Sequence, residues 1–304
     1  MESGKQIRIG LVGFGEIGST LGLGLRAAGV DSVVSYDKYA FDGPFGALIQ
    51  DRAGQGGVTL LASPAELAAR ADCIIGATPG SSSIASAEAL APHLGSRHLV
   101  VDIASATPEV KQQVAARLAA TPAAFVDGSI VGTPRDGVAM PILVAGQGAA
   151  ALRDALAPWG MRMEVVSERV GDASAIKILR SVVMKGLEAL LLECMLGARR
   201  YGLDAAVLAS LEKTLSKPFS QVVNGTLTTN AIHAARRSDE AAMSAETLAN
   251  VGLDPLVTRA VAERLRWVAD LGMKAHFGGV VPKDYTEALA AIEGKLAAAA
   301  PPRE

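Results

Sequence analysis

The amino-acid sequence predicts an α/β, doubly wound domain followed by an all-α domain, the two joined by one long helix. Three observations carry this. Up to about residue 168, short apolar runs alternate with helical patterns, as in βα units that build a parallel sheet. Beyond Gly171 the strand signals stop, and long Ala-, Leu-, Glu- and Arg-rich helical patterns take over. Glycines also crowd the end of the first apolar run, where backbone must turn tightly or approach something closely. The expected boundaries are 1–168 for the α/β domain and 169–304 for the helical one.

The strands expected in order are Ile7–Val12, Ser32–Tyr36, a weak one near Val58–Leu60, Cys73–Ala77, Leu99–Asp102, Ala124–Asp127, Ile142–Ala145 and Arg162–Val166. Helical stretches between them include Ile17–Ala28, Pro64–Arg70, Ile84–Leu94 and Pro108–Ala120. The second half reads as helices over Ala173–Tyr201, Ala205–Leu215, Phe219–Thr228, Asn230–Asn250, Pro255–Leu271 and Tyr285–Ala299. The Ala-rich tail ending Pro301-Pro302-Arg303-Glu304 is expected to fray.

Composition narrows the function classes. Half of the 304 residues are hydrophobic, enough to build cores and too many for a disordered chain. The 29 Lys+Arg against 31 Asp+Glu leave a net charge of -2, no electrostatic reason to bind nucleic acid or an anionic membrane. Aromatic residues make up only 4%, which disfavours base-stacking platforms. No run of about 18 uncharged apolar residues occurs, and Met1–Gln6 carry no apolar leader, so no membrane partner is expected. Cys73 and Cys194 read as buried reduced thiols of a cytoplasmic protein. His93, His98, His233 and His276 form no cluster, and no metal site is expected.

Ile7–Val12 runs straight into Gly13-Phe14-Gly15-Glu16-Ile17-Gly18. Gly13 suits a tight turn, Gly15 lets backbone approach a pyrophosphate, and Gly18 lets helix and strand pack closely. The free N–H groups opening the following helix then hold phosphates. Asp37 ends the second strand, where an acidic side chain accepts hydrogen bonds from ribose hydroxyls. Such a carboxylate repels a 2′-phosphate, which favours NAD over NADP, while the adjacent Lys38 softens the preference. The alternative for the glycines is a purely structural turn.

Further motifs follow in order: Ala77-Thr78-Pro79, Asp102-Ile103-Ala104-Ser105-Ala106-Thr107-Pro108, Phe125-Val126-Asp127-Gly128-Ser129-Ile130-Val131-Gly132-Thr133, and Gly171 with Lys177. This ordered set resembles the β-hydroxyacid dehydrogenases, which include 3-hydroxyisobutyrate and tartronate semialdehyde dehydrogenases, are related to 6-phosphogluconate dehydrogenase and share a fold with the imine reductases. The C-terminal part, including His233–Arg237 and Arg264–Gly272, is similar to a poorly characterised branch with its own helical domain. The resemblance implies a Rossmann-type NAD(P)-binding domain, a long interdomain helix and a helical domain through which two copies dimerise. It places Thr78-Pro79 against the nicotinamide ribose and Ser105 near substrate and nicotinamide.

The resemblance also gives Lys177 the role of general acid/base on a hydroxyl or carbonyl. The chemistry requires such a group, because hydride cannot leave a carbinol carbon unless the hydroxyl proton is removed. Lysine is ordinarily protonated, so burial and nearby cations such as Arg180 or Lys185 must lower its pKa. The alternative is a lysine whose stem crosses apolar surface to solvent. Two departures mark the substrate side. Ser181 stands one turn after Lys177, where the family has asparagine, and Val131-Gly132-Thr133 replaces a Ser-Gly-Gly loop that clasps a carboxylate. Backbone N–H groups near Gly132 and Thr133 can still bind an anion, with Arg135 close by. On a later helix His233 and Arg236, with Arg237, offer either an anion-recognition face or surface charges paired with Asp239-Glu240.

Three functions are therefore set against one another. The first is NAD(P)-dependent hydride transfer at a CH–OH carbon of a hydroxy acid or related alcohol, a small-molecule substrate placed by Ser105, Gly132, Thr133, Ser181, His233 and Arg236. The second is imine reduction on the same fold, and the third a non-catalytic dinucleotide sensor.

Overall fold

A computed structural model describes residues 7–299. Its strands are β1 (Arg8–Val12), β2 (Ser32–Tyr36), β3 (Thr59–Leu61), β4 (Cys73–Gly76), β5 (Leu99–Asp102), β6 (Ala124–Ile130), β7 (Pro141–Ala145) and β8 (Arg162–Ser167). The helices are α1 (Glu16–Ala27), α2 (Gly46–Gly56), α3 (Pro64–Arg70), α4 (Ser83–Leu90), α5 (Pro108–Leu118), α6 (Ala149–Leu156), α7 (Asp172–Arg200), α8 (Asp204–Leu215), α9 (Phe219–Asn250), α10 (Leu256–Asp270), α11 (Met273–His276) and α12 (Tyr285–Ala299). By its contacts the chain forms two units that divide inside α7, between Val182 and Val183.

In the first unit all eight strands form one sheet in the order β3-β2-β1-β4-β5-β6-β7-β8. Alternate residues of its strands feed two apolar cores. Ile9, Leu11, Val33, Ile75 and Val101 belong to one, and Val12, Val34, Ile74 and Val100 to the other. A sheet apolar on both faces is what βα crossovers produce. The order reverses between β1 and β4, which opens a crevice at their carboxyl ends, the place where ligands bind in such sheets. β6 and β7 pair antiparallel, with Gly128 opposite Val144 and Ile130 opposite Ile142. This pairing carries β6 past Asp127, where the sequence pattern places its end.

The second unit begins at Val183. Its core is small: Ala231, Ile232 and Ala234 of α9 with Val268 of α10 and Met273 of α11. Glu193 of α7 caps α10, accepting hydrogen bonds from the N–H groups of Val257 (2.7 Å) and Thr258 (3.0 Å) and from the Thr258 hydroxyl (2.7 Å). A carboxylate there satisfies otherwise free N–H groups and opposes the helix dipole. The stretches 219–228 and 230–250, expected as separate helices, are one helix. Thr228 and Thr229 donate their hydroxyls to the carbonyls of Asn224 and Gly225, so the polar residues at the expected break are satisfied along the helix itself.

Among the described residues no helix is long and apolar enough to cross a membrane, and no three His, Cys, Asp or Glu side chains cluster to hold a metal ion. Cys73 is buried and its thiol is pushed up to about 12 by that burial, whereas Cys194 is half-buried; both are free. The C-terminal tail lies outside the described residues.

Candidate active site

Gly13 leaves β1 with φ +92°, and its N–H donates to the Tyr36 carbonyl at 2.8 Å. A Cβ on Gly13 would stand 2.9 Å from the Ala77 carbonyl oxygen, and one on Gly18 would strike the carbonyl oxygen of Gly13. Gly15 is the opposite case: nothing lies within 4 Å of where its Cβ would be. That open space, at a helix start with no side-chain cap, is a cradle where the N–H groups of Glu16 and Ile17 can meet a pyrophosphate. Asp37 is fixed beside it, accepting the Phe14 N–H at 2.8 Å and the Tyr39 N–H at 2.9 Å, and each of its oxygens retains acceptor capacity for ribose hydroxyls. Lys38 is exposed, its ammonium 4.7 Å from the centre of the Tyr39 ring. These residues fit a dinucleotide. The Phe14 side chain is wholly buried in the core, so within this turn only its backbone is placed toward the glycines around it.

A cleft of about 400 Å³ continues from this turn. Thr78, Pro79, Ser105 and Gly132 line it from loops at strand ends, Ile17 from α1, and Lys177, Arg180 and Ser181 from the beginning of α7. Lys177 Nζ donates to Ser105 Oγ at 2.5 Å. Burial, first, and the positive charge of Lys111, second, hold the Lys177 pKa below the ordinary lysine value. Among the described residues no carboxylate lines the cleft, so Lys177 and Arg180 give it positive charge.

Two expected substrate contacts are used differently. Ser181 lines the cleft but donates its hydroxyl hydrogen to the Lys177 carbonyl at 2.8 Å, which leaves it an acceptor toward the cleft. Thr133 is outside the lining; its N–H donates to the Asp136 carboxylate at 2.8 Å and its hydroxyl approaches the same oxygen at 3.3 Å. His233 and Arg236 belong to α9 in the second unit, both exposed, with Arg236 paired to Glu240 at 3.0 Å.

Sequence reasoning missed a group beneath the cleft. Lys111 of α5, without exposed surface, lies 3.2 Å from the Asp102 carboxylate and 3.9 Å from that of Asp127. A signal was present: Lys111 shares the inward face of α5 with Val114 and Leu118, where the helical period calls for an apolar side chain.

Residues 8–165 match the family described as the NAD binding domain of 6-phosphogluconate dehydrogenase, half of the chain or more. The chain belongs to the β-hydroxyacid dehydrogenase family. The chain also matches, over residues 198–268, a domain of unknown function, DUF1932. It is similar to a conserved hypothetical protein from Sinorhizobium meliloti 1021, with 30% identity over 96% of this chain and 97% of that one and a TM-score of 0.62. It is also 30% identical to the conserved protein MTH1747, over 90% of this chain and all (100%) of that one, with a TM-score of 0.60. That protein's structure is described as similar to 3-hydroxyacid dehydrogenases. An imine reductase from Pseudomonas sp. shares the fold at 18% identity, covering 95% of this chain and 100% of its own, with a TM-score of 0.72.

Proposed function

We propose that this member of the family is an NAD(P)-dependent oxidoreductase acting at a CH–OH or carbonyl carbon of a small hydroxy acid or related alcohol, with Lys177 as general acid/base. The observation that carries this is the half-buried Lys177 ammonium held 2.5 Å from Ser105 in a cleft without carboxylates. A nicotinamide dinucleotide, when bound, accepts or supplies the hydride. Gly13, Gly15, Glu16, Ile17 and Gly18 would hold its pyrophosphate, Asp37 and Lys38 its adenosine ribose, and Thr78, Pro79 and Ser105 its nicotinamide end.

Lys177 as the free amine takes the substrate's hydroxyl proton during oxidation, and as the ammonium returns it during reduction. Its lowered pKa makes the free amine accessible nearer neutrality than for an ordinary lysine. Ser105 holds the amine in place and shares the substrate oxygen. Arg180 and the backbone near Gly132 draw an anionic group to the cleft, Arg being suited to carboxylates. Asp37 favours NAD, since a second negative charge on the ribose would meet its carboxylate. A second copy of the chain would cover the apolar residues that α7 leaves exposed, among them Val183, Leu192 and Leu196, which supports a homodimer.

The fold shared with an imine reductase supports a second reading, in which Lys177 protonates a nitrogen instead of an oxygen. The two separate in a screen of hydroxy acids, aryl alcohols and amines with NAD⁺ and NADP⁺, followed by nicotinamide absorbance. Turnover of a hydroxy acid is the expected result. Turnover of amines alone would establish the second reading, and dinucleotide binding without any turnover would point to a sensor.

A further inference from the structure

Lysine is rarely buried completely, because stripping water from its ammonium is costly unless partners replace it. Lys111 is such a case. Its Nζ donates to the Asp102 carbonyl at 2.6 Å and the Gly128 carbonyl at 3.3 Å, and it faces the Asp102 and Asp127 carboxylates. A leucine or methionine would fill the same place on α5 beside Val114 and Leu118 without that cost. The charge therefore calls for a reason other than packing.

The two carboxylates supply one. Asp102 and Asp127 are direct register partners on the adjacent parallel strands β5 and β6, so without a cation they face each other as like charges. Each also holds one piece of the candidate active site. Asp102 Oδ1 accepts the Ala104 N–H at 2.9 Å and so shapes the loop whose next residue is Ser105. Its Oδ2 forms no hydrogen bond among the described residues and faces the Lys111 ammonium at 3.2 Å. Asp127 accepts the N–H groups of Gly171 and Ser174, both at 3.1 Å, and the Ser174 hydroxyl at 2.7 Å. Those bonds fix the first turn of α7, and Lys177 follows Ser174 by three residues on that helix.

We propose that Lys111 is a positioning residue whose buried ammonium joins Asp102 to Asp127, and through them locks the Ser105 loop and the start of α7 in the register that brings Lys177 to Ser105. The inference rests on reading Lys177 as the acid/base. Lys111 of α5 is the charge that acts on Lys177, Arg180 of α7 lines the same cleft, and Asp102 of β5 and Asp127 of β6 stand against Lys111. Removing the Lys111 charge leaves two facing carboxylates, which attract a proton to Lys177 while they push apart the segments that hold it. Both effects move its titration upward in pH.

The test uses the full chain without nucleotide or substrate. Trace acetic anhydride labels free amines, and mass spectrometry gives the pH of half-maximal labelling for Lys177 against Lys213, which is exposed on α8. Wild type should label at Lys177 at lower pH than at Lys213. In Lys111→Met the Lys177 midpoint should rise toward that of Lys213, while Lys213 itself stays put. A folded Lys111→Met with an unmoved midpoint overturns the proposal; because losing the Lys111 charge by itself raises the Lys177 midpoint, the positioning is read in Ser174→Ala, which keeps that charge. If Lys111→Met does not fold, Ser174→Ala carries the test, since it keeps all three charges and cuts one bond to α7; a smaller upward shift is expected, and none overturns the proposal. Turnover of Lys177→Ala is measured in parallel. Retained turnover there sinks the acid/base reading, whereas the labelling shift in Ser174→Ala still supports the positioning, so the two failures are distinguishable.

Discussion

The two units differ in how they dispose of apolar side chains. The strands of the sheet unit bury their own: Ile9, Leu11, Ile74 and Ile75 have no exposed surface and both faces of the sheet are covered, whereas that unit's part of α7 leaves Leu179 and Val182 each at 68% exposure. The helical unit gathers five buried residues into its main core and leaves Leu192 at 63%, Phe219 at 66% and Leu256 at 64% exposure. A protein in water does not keep so much long apolar surface without a use for it. The contrast teaches that the sheet closes over its own apolar side chains, whereas α7 and the helices after it leave theirs to be covered, in our proposal by a second copy.

Substitutions in the two units should therefore behave oppositely. The largest loss of stability is expected from Ile75→Ala, at about 2–5 kcal/mol by chemical denaturation, because the sheet core cannot close over the missing methyl groups. Leu192→Ala should stay within about 0.5 kcal/mol in the separated chain, while Leu192→Glu should shift the sedimenting species from dimer to monomer. A monomer for wild type at micromolar concentration would remove the dimer from the account. Next in size, Asp37→Ala should weaken NADH binding by about 1.5–3 kcal/mol, the worth of hydrogen bonds to a charged group, and weaken NADPH less. Equal losses for both cofactors would take Asp37 out of ribose recognition.

The smallest effect concerns Arg8 and Asp72, a two-bond pair at 2.7 and 2.8 Å that ties β1 to the residue before β4. The Arg8 hydrogen bond holds the Asp72 carboxyl below its ordinary value. Its stabilisation is present above that ordinary value and disappears as pH falls through the lower folded-state value. Both side chains are over a third exposed, 39% for Arg8 and 35% for Asp72, so solvent screening limits the pair to about 1 kcal/mol or less. Asp72→Asn should flatten the acid limb of the stability curve and change little at neutral pH.

Much of this was legible in the sequence because the relevant physics is local. Strand and helix periods give β1, β2, β5, α3 and α8 almost to the residue, and Gly13, Gly15 and Gly18 mark the turn by what a Cβ would do there. Motif order brought Thr78, Pro79, Ser105, Gly132 and Lys177 into one cleft. What escaped depends on contacts distant in sequence. The period of α5 puts Lys111 on the face of Val114 and Leu118, but its partners appear only when β5 and β6 place Asp102 beside Asp127. Phe14 sits within a ligand motif, yet its ring belongs to the core. Helix α2 was not singled out because Gly46, Gly54, Gly56 and Gly57 look like a loop, and Ser181 gave no sign that its hydroxyl turns back on its own helix.

The central claim is that Lys177 moves the proton. Its most direct test is the pH profile of turnover, wild type against Lys177→Ala, on whichever hydroxy acid the screen identifies. Oxidation needs the free amine, so the wild-type rate should rise with pH through a titration lying below the ordinary lysine value, and Lys177→Ala should lose that limb with about 10²–10⁴-fold in rate. A variant that stays within about tenfold of wild type and keeps the same limb would contradict the account.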